Sequence, residues 1–394
     1  WQREKCLVLQ CGITWLDIRM SFIVCSIKQI LKSKPMQVYL QNRLCNENEK
    51  EVWHESADFK SRKIFVIQNF YFTIQFTEDT VLPKQKVSAI RGGIGEMLLR
   101  ANCVRRRECE SCDFESECIV QRIMYSKYEK KPSFVTTGES VGYVLECDNY
   151  KEEFEQGSEL NFQLLLFGKN IVYFNQYLQA ISMLGASGLG KHQAHFVIIA
   201  VKNQYRQDIL IHNSIDMRNY VISTVGEYVD YRIKQMQRGK SYTEQEAYGQ
   251  RKILSQKNGV ANTGYEGMLV FHTPFTVKYQ GAFIQDLHME PVIASIRRRL
   301  YMLDCFEGIE AEIFWDETPE SAVTVKQQSR LEGVNRYSNR RDSAMTLRGI
   351  RGKVWFEGAD EETIEIWLFA GELLHVGKNT SFGFGEFECY PRNL

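Results

Sequence analysis

Residues 185–192 read GASGLGKH, a glycine-rich segment that ends in a lysine and a histidine; it is called the first glycine loop below. Gly185, four further residues and Gly190-Lys191 match the first half of the Walker A motif, whose backbone N–H groups hold nucleotide phosphates. That motif continues with a Ser or Thr that binds Mg²⁺, and His192 stands there instead. The segment indicates phosphate contact but departs from an ATP site.

Four cysteines lie within sixteen residues in the order C-x5-C-x2-C-x5-C. Four thiolates around a central C-x-x-C are typical of a closed tetrahedral Zn²⁺ site, which is structural because no position is left for a substrate. Two disulfides, four reduced thiols or an iron–sulfur cluster are the other interpretations, although the spacing matches neither ferredoxin pattern. The predicted zinc ligands are Cys103, Cys109, Cys112 and Cys118.

Basic residues crowd into 336–353, where Asp342 is the one acid. Because Lys plus Arg and Asp plus Glu number 49 each over the chain, this local excess indicates a polyanionic partner. Tyr337 could stack a base among the arginines. A second basic run at 297–299 is either a polyanion contact or a solvated helix face. The basic residues of the first stretch are Arg336, Arg340, Arg341, Arg348, Arg351 and Lys353.

Composition places the chain among globular proteins of two or three domains, since its 394 residues are 44% hydrophobic and 12% aromatic. The zero net charge gives no global field toward nucleic acid or anionic membranes. Eleven unevenly placed cysteines do not form a secreted disulfide scaffold, which favours the cytoplasm. The apolar run 20–31 is interrupted by Lys28 and too short for a bilayer. We therefore expect a cytoplasmic protein with no membrane segment.

Hydrophobic periodicity predicts one order of elements, βαββαβ, twice. In the first half, strand 63–76, helix 86–102, strands 140–147 and 159–168, helix 171–184 and strand 194–201 follow one another. In the second half, the order is strand 267–279, helix 283–305, strands near 323–326 and at 345–358, helix 363–374 and a strand beginning at 386. This repetition predicts an α+β fold of tandem ferredoxin-like units with glycine-rich loops, to which the cysteine cluster adds a four-cysteine zinc-binding insert.

Four parts of the chain follow from this order. Residues 1–60 are an N-terminal extension of unclear role, 61–205 the first ferredoxin-like unit with the cysteine cluster at 103–118, 206–262 a polar helical linker or insert, and 263–394 the second unit. Each unit ends with a helix, a glycine loop and a strand. Residues 377–385, GKNTSFGFG, are the second glycine loop.

The position of the first glycine loop argues against ATP. A P-loop leaves a strand and enters a helix, so that the helix N-terminus faces the phosphates. Here the loop leaves a predicted helix and enters a predicted strand. We therefore expect no bound nucleotide.

Several stretches resemble the CRISPR-associated RAMP endoribonucleases that process precursor CRISPR RNA. The resemblance covers roughly residues 63–394, and a glycine-rich loop before the last strand is its most specific feature. The matching stretches are SAIRGGIGEMLLR at 88–100, FHTPFTVK at 271–278, RYSNRRDSAMTLRGIRGKVWFEG at 336–358 and ELLHVGKNTSFGFGEFE at 372–388.

The resemblance implies a cut within the CRISPR repeats that needs no catalytic metal. The ribose 2′-OH attacks the adjacent phosphate, giving a 2′,3′-cyclic phosphate and a 5′-OH, so a base, an acid and a cation are required. His375, directly before the second glycine loop, is the first candidate for proton transfer, with Lys378 beside it. His192 and His195 are the next candidates. The predicted RNA-binding residues are Lys191, Ser381, Arg91, Arg336, Arg340, Arg341 and Arg348.

The first helix lacks the histidine that well-known members of this family often carry there. A non-catalytic RAMP subunit that binds CRISPR RNA in an effector complex is therefore the main alternative, and a zinc-containing domain that binds other RNA is a third. The expected partners are the repeat of precursor CRISPR RNA and other CRISPR effector or adaptation subunits. The expected cofactor is a structural Zn²⁺.

Overall fold

The computed structural model describes residues 65–105, 107–128, 130–132, 134–135, 141–212, 214–236, 265–309, 322–338, 343–359 and 367–392. These residues all belong to one compact unit, Glu51–Leu394. The predicted N-terminal extension 1–60, most of the linker's polar stretch, and Arg340 and Arg341 lie outside the described residues.

An antiparallel sheet with helices on one face forms the first half. Its strands run in the order β3-β5-β1-β6, so the second, third, first and fourth main strands of this half are neighbours. The elements are β1 (Val66–Phe76), β2 (Thr80–Val81), α1 (Val87–Asn102), α2 (Ile119–Met124), β3 (Tyr143–Glu146), β4 (Glu153–Phe154), β5 (Glu159–Phe167), α3 (Phe174–Ser187) and β6 (Phe196–Lys202).

Alternating aromatic residues of β1 build the core of this half. Phe70 and Phe72 are buried on the helix side of the sheet, and Phe70 stacks on Phe174 of α3 at 3.8 Å between ring centroids. The period of two that this requires is what the sequence pattern predicts. Helices α1 and α3 meet closely at Gly93, where an added Cβ would lie 2.5 Å from Leu184.

The segment after β6 differs from the predicted linker. Three two-residue strands, β7 (Leu210–Ile211), β8 (Ser214–Ile215) and β9 (Ser223–Thr224), precede a helix, α4, at 225–236. Strand β9 pairs with β1, and Tyr220 packs on Phe70 while its hydroxyl donates to the Ile171 carbonyl at 2.9 Å. Isolated apolar residues in a polar stretch therefore fix its first part to the first sheet. The helix is described over 225–236.

A second antiparallel sheet repeats the strand arrangement of the first. Its order is β13-β14-β10-β15, again second, third, first and fourth among its main strands. The elements are β10 (Tyr265–Phe275), β11 (Lys278–Tyr279), β12 (Ala282–Phe283), α5 (Met289–Glu307), β13 (Val323–Ser338), β14 (Ser343–Ala359), α6 (Phe369–Leu374), a 3₁₀ turn (Thr380–Phe382) and β15 (Phe387–Arg392). The two antiparallel sheets with their helices confirm the α+β class.

Two predicted boundaries in this half were wrong. The helix predicted from 283 begins at Met289, because Gln280 and Gly281 have positive φ and form the turn of a small β11–β12 hairpin. The strand predicted near 323–326 continues to Ser338 and pairs with β14 along its length. Its polar sequence hides this, since Val334 is one of few buried side chains along it.

The two halves share a hydrophobic core. Ile67, Val144 and Leu165 of the first sheet belong to the same buried cluster as Ile296 and Leu300 of α5. The first sheet therefore packs its helices on one face and part of the second half on the other. Within the described ranges, no helix is long and apolar enough to cross a membrane.

Candidate functional site

A cleft with a volume of about 2760 Å³ is the main candidate site. The helix α1, the cysteine segment 103–118 and the first glycine loop line it, together with residues 124–128. Phe382 of the second half completes one wall. The cleft therefore gathers most of the chemistry-bearing segments of the first half around α1.

The first glycine loop presents its lysine and histidine to this cleft. Helix α3 continues to Ser187, so Gly185 is helical, and a Cβ there would overlap the Phe196 carbonyl oxygen. A backbone bridge between Leu189 and Ala194 then closes a tight turn. Lys191 and His192 lie at the tip of that turn, exposed, and line the cleft. Gly185 is thus a helix-packing glycine rather than a phosphate ligand.

His195 lies just past this turn, outside the cleft lining. Its Nδ1 is 2.6 Å from Oε1 of Glu78, and both side chains are about half exposed. The hydrogen bond from His195 lowers the pKa of Glu78. The pair lies at the surface and ties the strand β6 entrance to the loop after β1.

His375 is buried, with 1% of its surface exposed. Its Nδ1 lies 3.1 Å from the Phe384 carbonyl oxygen, and its Nε2 lies 2.8 Å from Oε1 of Glu146 on β3. A carbonyl and a carboxylate both accept, so both ring nitrogens must donate, and the pair is best satisfied by an imidazolium facing a carboxylate. Burial lowers the pKa of His375, but the bond to Glu146 and the charges of Glu146 and Glu386 outweigh it, so that the pKa is raised.

Carboxylates cluster around this histidine. The pKa of Glu386 is raised to about 7, first by burial and then by the charges of Glu146 and Asp148. Burial and Glu146 likewise raise the pKa of Asp148. Because the cluster lies between β3 of the first half and the second glycine loop, it links the halves electrostatically. These contacts favour a structural or positioning role for His375 rather than direct contact with a substrate.

The second glycine loop packs against the first half. Thr380 and Ser381 are buried, and the Arg91 Nε donates to the Ser381 Oγ at 3.2 Å. A Cβ at Gly383 would lie 2.7 Å from the Leu145 carbonyl oxygen. The sequence places Ser381 and Arg91 among RNA-binding residues; the structure brings these two together, with Ser381 beneath the surface.

Lys378 points to a different surface. Its backbone N–H donates to the Thr276 carbonyl at 2.7 Å, and its Nζ lies 5.7 Å from the centroid of the Phe283 ring. It is not part of the cleft lining. Lys378 and His375 are therefore not brought into one reactive group, although they are three residues apart.

Neither interpretation of the basic run 297–299 matches its environment. Arg299 is buried and donates to the carbonyl oxygens of Leu374 and Val141 at 3.1 Å each. Arg297 and Arg298 lie over the rings of Trp367 and Phe134 at 4.9 and 5.0 Å. Arg298 and Arg299 therefore connect the second half to the first, and Arg297 packs within the second half.

The basic span 336–353 lies on the hairpin of β13 and β14. Arg348 and Lys353 are exposed on β14, and Arg351 lies 3.6 Å from Glu332. Arg336 belongs to β13, and Asn335 beside it reaches the cleft lining. Arg348 is therefore exposed on this hairpin, where a polyanion could reach it.

The cysteine segment contains a turn but no assembled metal group. The Cys112 N–H donates to the Cys109 carbonyl at 3.2 Å, and the Arg107 N–H donates to the Cys103 Sγ at 3.2 Å. All four cysteines are free and partly exposed. Across the described ranges, no three His, Cys, Asp or Glu side chains converge on a metal position. Because the thiols are not assembled around one point, the structural Zn²⁺ stays a prediction.

Arg105 and Arg107 line the cleft but already have carboxylate neighbours. Arg107 is 2.6 Å from Glu96 of α1, and Arg105 is 3.4 Å from Asp113. Arg100 also bonds Glu96, at 3.0 Å. The carboxylate of α1 is therefore neutralised from two sides.

Sequence reasoning missed three charged residues that hold elements of the fold in place. Lys86, fully buried at the start of α1, donates its ammonium to the carbonyls of Asn149 and Lys151 at 2.8 and 2.6 Å, and burial lowers its pKa. Glu146 meets His375 across 229 positions of sequence. Arg232 of α4 bonds Glu372 at 2.8 Å and so fixes the linker helix to the second half. Each is a charged residue without a motif, so no local pattern reveals it.

Comparison with protein families gives two matches. Residues 269–387 match the model of the CRISPR-associated endoribonuclease Cas6, and residues 65–222 match the model of AF_1859_N, an N-terminal domain. None of the curated proteins compared matches the chain significantly.

Solved structures give weak matches along most of the chain. A partial Cas6-RT-Cas1–Cas2 complex has 9% identity and a TM-score of 0.45, over 83% of this chain and 46% of that one. A Cas6 product complex has 14% identity and a TM-score of 0.41, over 82% and 99%. Thermus thermophilus Cas6 has 10% identity and a TM-score of 0.38, over 83% and 98%. The chain thus spans under half of the first of these.

Proposed function

We propose that this chain, in which residues 269–387 belong to the CRISPR-associated Cas6 endoribonucleases, binds precursor CRISPR RNA and cleaves it within the repeats. The family match carries the proposal, because it covers most of the second half, including the second glycine loop. It bears out the resemblance to CRISPR-associated RAMP endoribonucleases. Since such RNA is made in the cytoplasm, we place the activity there.

Both halves are interpreted as ferredoxin-like units. Each has the element order βαββαβ, and each sheet has the strand order second, third, first, fourth. In this interpretation the first unit supplies α1 and the first glycine loop, and the second unit supplies the basic hairpin and the second glycine loop.

The cleft is where we place the RNA. It holds Lys191 and His192 at the tip of an exposed turn, and Arg91 on α1. At Gly92, between Arg91 and the rest of α1, nothing lies within 4 Å of an added Cβ, so a ribose-phosphate chain can approach the helix closely. Arg348, exposed on the hairpin, is assigned to RNA outside the cut site.

We assign proton transfer to His192. In the proposed reaction a base removes the 2′-OH proton, the 2′ oxygen bonds to phosphorus, the bond from phosphorus to the 5′ oxygen breaks, and that oxygen takes up a proton. Imidazole suits either transfer because its ordinary pKa is near neutrality. Lys191 and Arg91 supply positive charge to the phosphorane. The step needs no water and no catalytic metal.

The deciding experiment uses a labelled repeat RNA in excess EDTA. We expect one cut that leaves a 2′,3′-cyclic phosphate and a 5′-OH, and no cut when the attacking 2′-OH is replaced by hydrogen. Circular dichroism with and without EDTA checks that the fold is kept. A cut that requires added Mg²⁺ contradicts the mechanism.

A non-catalytic subunit that holds CRISPR RNA is the second candidate. Two observations favour it: α1 has no histidine, and His375 is buried in an ion pair. Tight binding of repeat RNA without any cut, at protein in excess over RNA, is the result that selects it. Association with other CRISPR effector or adaptation subunits is part of the same proposal.

A further inference from the structure

Arg91 is held at the cleft wall by the second glycine loop. Its Nε donates to the Ser381 Oγ at 3.2 Å, and its guanidinium carbon lies 4.1 Å from the centroid of the Phe382 ring. Arg91 and Phe382 both line the cleft, whereas Ser381 is only 3% exposed. The bond to Ser381 therefore holds the arginine from its buried side.

The loop itself is anchored to the first unit. Its 3₁₀ turn, Thr380–Phe382, lies between His375, which pairs with Glu146 at 2.8 Å, and Gly383, which sits against the Leu145 carbonyl. Glu146 and Leu145 are consecutive residues of β3. A rigid support of this kind fixes both the hydrogen-bond acceptor and the ring that Arg91 uses.

An arginine fixed in this way suits a phosphate. The guanidinium is planar and always charged, so it attracts a phosphate even where some of its N–H groups bond to protein atoms. Stacking on Phe382 fixes that plane, which lowers the entropy lost when the fork binds an anion. Glu96, the one carboxylate of α1, is occupied by Arg100 and Arg107, so it does not oppose an anion there.

We propose that Arg91 binds a phosphate of the RNA in the cleft and that the second glycine loop acts on RNA through Arg91, with Ser381 and Phe382 as positioning residues. This inference rests on the proposed function. It gives the buried loop a role without bringing its own backbone to the RNA. It also reassigns Ser381 from RNA contact to the support of an arginine.

A double-mutant cycle on the full chain tests the inference. The first variant is Arg91→Ala. The second, called the pair variant, carries both Ser381→Ala and Phe382→Leu, which leave the charge unchanged. The third combines all three substitutions. Dissociation constants for a repeat RNA whose attacking 2′-OH is replaced by hydrogen are measured over a range of salt concentrations. Phe283→Leu is the matched control, because it removes an exposed ring beside Lys278 and Lys378, outside the cleft.

We expect Arg91→Ala to weaken binding about tenfold and to reduce the salt slope by about 0.7, the value for one phosphate contact of a single strand. The Ser381→Ala and Phe382→Leu pair should weaken binding roughly fivefold with the charge unchanged, since a cation stacked on a ring gains about 1 kcal/mol. In a protein that already carries Arg91→Ala, the two loop substitutions should cause no further loss of RNA affinity. Phe283→Leu should bind as the unsubstituted protein does.

If the losses of RNA affinity multiply in the combined variant, the loop acts independently of Arg91. That result overturns this inference but leaves the proposed function standing. The same holds for a pair variant that binds normally. General destabilisation by the pair would persist in the Arg91→Ala background, so the cycle separates it from positioning. An unsubstituted protein that binds no repeat RNA overturns both this inference and the proposed function.

Discussion

The two glycine loops occupy corresponding places, each between the last helix and the last strand of its half, yet their surroundings differ. The first is an exposed turn with Lys191 and His192 at its tip, beside the large cleft. The second is buried against β3 and α1, and its polar residues bond protein groups. Equivalent positions in a repeated fold thus have different surroundings: one loop is exposed at the cleft, and the other packs behind the cleft wall at Arg91.

The largest effect should come from His192→Ala in the first loop. Loss of a positioned acid or base should slow cleavage by about 10²- to 10⁴-fold, with RNA binding little changed. The measurement is the single-turnover rate with repeat RNA. His288→Ala, an exposed histidine outside the cleft lining, should cleave normally. If His195→Ala or His375→Ala stops cleavage while His192→Ala does not, the assignment to the first loop is wrong.

A matched pair of glycine substitutions tests the contrast in packing directly. Gly190 and Gly385 both have φ of 73°, so alanine is strained equally at each, by about 1–2 kcal/mol. At Gly190 the nearest atom to an added Cβ is 3.8 Å away, on Leu82, whereas at Gly385 the Cβ would overlap the Val376 carbonyl oxygen. Gly385→Ala should therefore cost roughly 3–4 kcal/mol in all, because the backbone must also move.

Urea unfolding of the two variants provides the measurement. We expect Gly190→Ala to shift the midpoint slightly and Gly385→Ala to shift it strongly or prevent folding. Equal shifts would contradict the buried position of the second loop.

Much of the fold follows from the sequence because it depends on period. The alternation of β1 and the apolar faces of α1 and α3 specify their elements, and both βαββαβ orders agree with the predicted ones. The lengths of elements and the positions of turns were harder to predict. Few described side chains of β13 are buried on either face, so only its pairing with β14 fixes its 16 residues. The division of the chain into four parts remains a prediction.

The site was less predictable than the fold. The sequence does not show whether a histidine beside a glycine loop faces solvent or a carboxylate. Only the packing of β3 on the second half places Glu146 against His375. The prediction for the arginine run 297–299 is wrong for the same reason, since Arg299 is buried between the halves. Motifs reveal which residues have the right chemistry, and long-range contacts decide which of them reach the cleft.

The ion pair of His375 and Glu146, next to the second loop, should make stability depend on pH. Glu146→Gln removes the charge that His375 faces, at a cost of about 1–3 kcal/mol for a buried hydrogen-bonded group. Because the pKa of His375 is raised in the folded state, its contribution is complete below its ordinary value near 6.5 and is lost as pH rises through the higher folded value. The raised pKa of Glu386, about 7, acts in the same direction from its ordinary value of 4.5 upward.

Unfolding free energies measured from pH 5 to 9 test this dependence. The unsubstituted protein should lose stability across the neutral range, and Glu146→Gln should flatten the part due to His375. Glu146→Gln also removes a charge that raises the pKa of Glu386 and of Asp148, so the difference between the two curves reports the whole cluster around His375. Parallel curves would mean that His375 is not held as an imidazolium.

The smallest effect is expected from Lys191→Ala, which tests whether the first loop touches RNA at all. Lys191 is an exposed point charge at the tip of a turn, so it can neutralise one phosphate without altering the fold. Its loss should weaken repeat binding a few-fold and reduce the salt slope by about 0.7. Lys378→Ala removes the same charge from the second loop, outside the cleft, and should leave the slope unchanged. A reduced slope for Lys378→Ala with a normal one for Lys191→Ala would reverse the roles of the two loops, because the salt slope counts phosphates neutralised and does not depend on how the lost lysine packs.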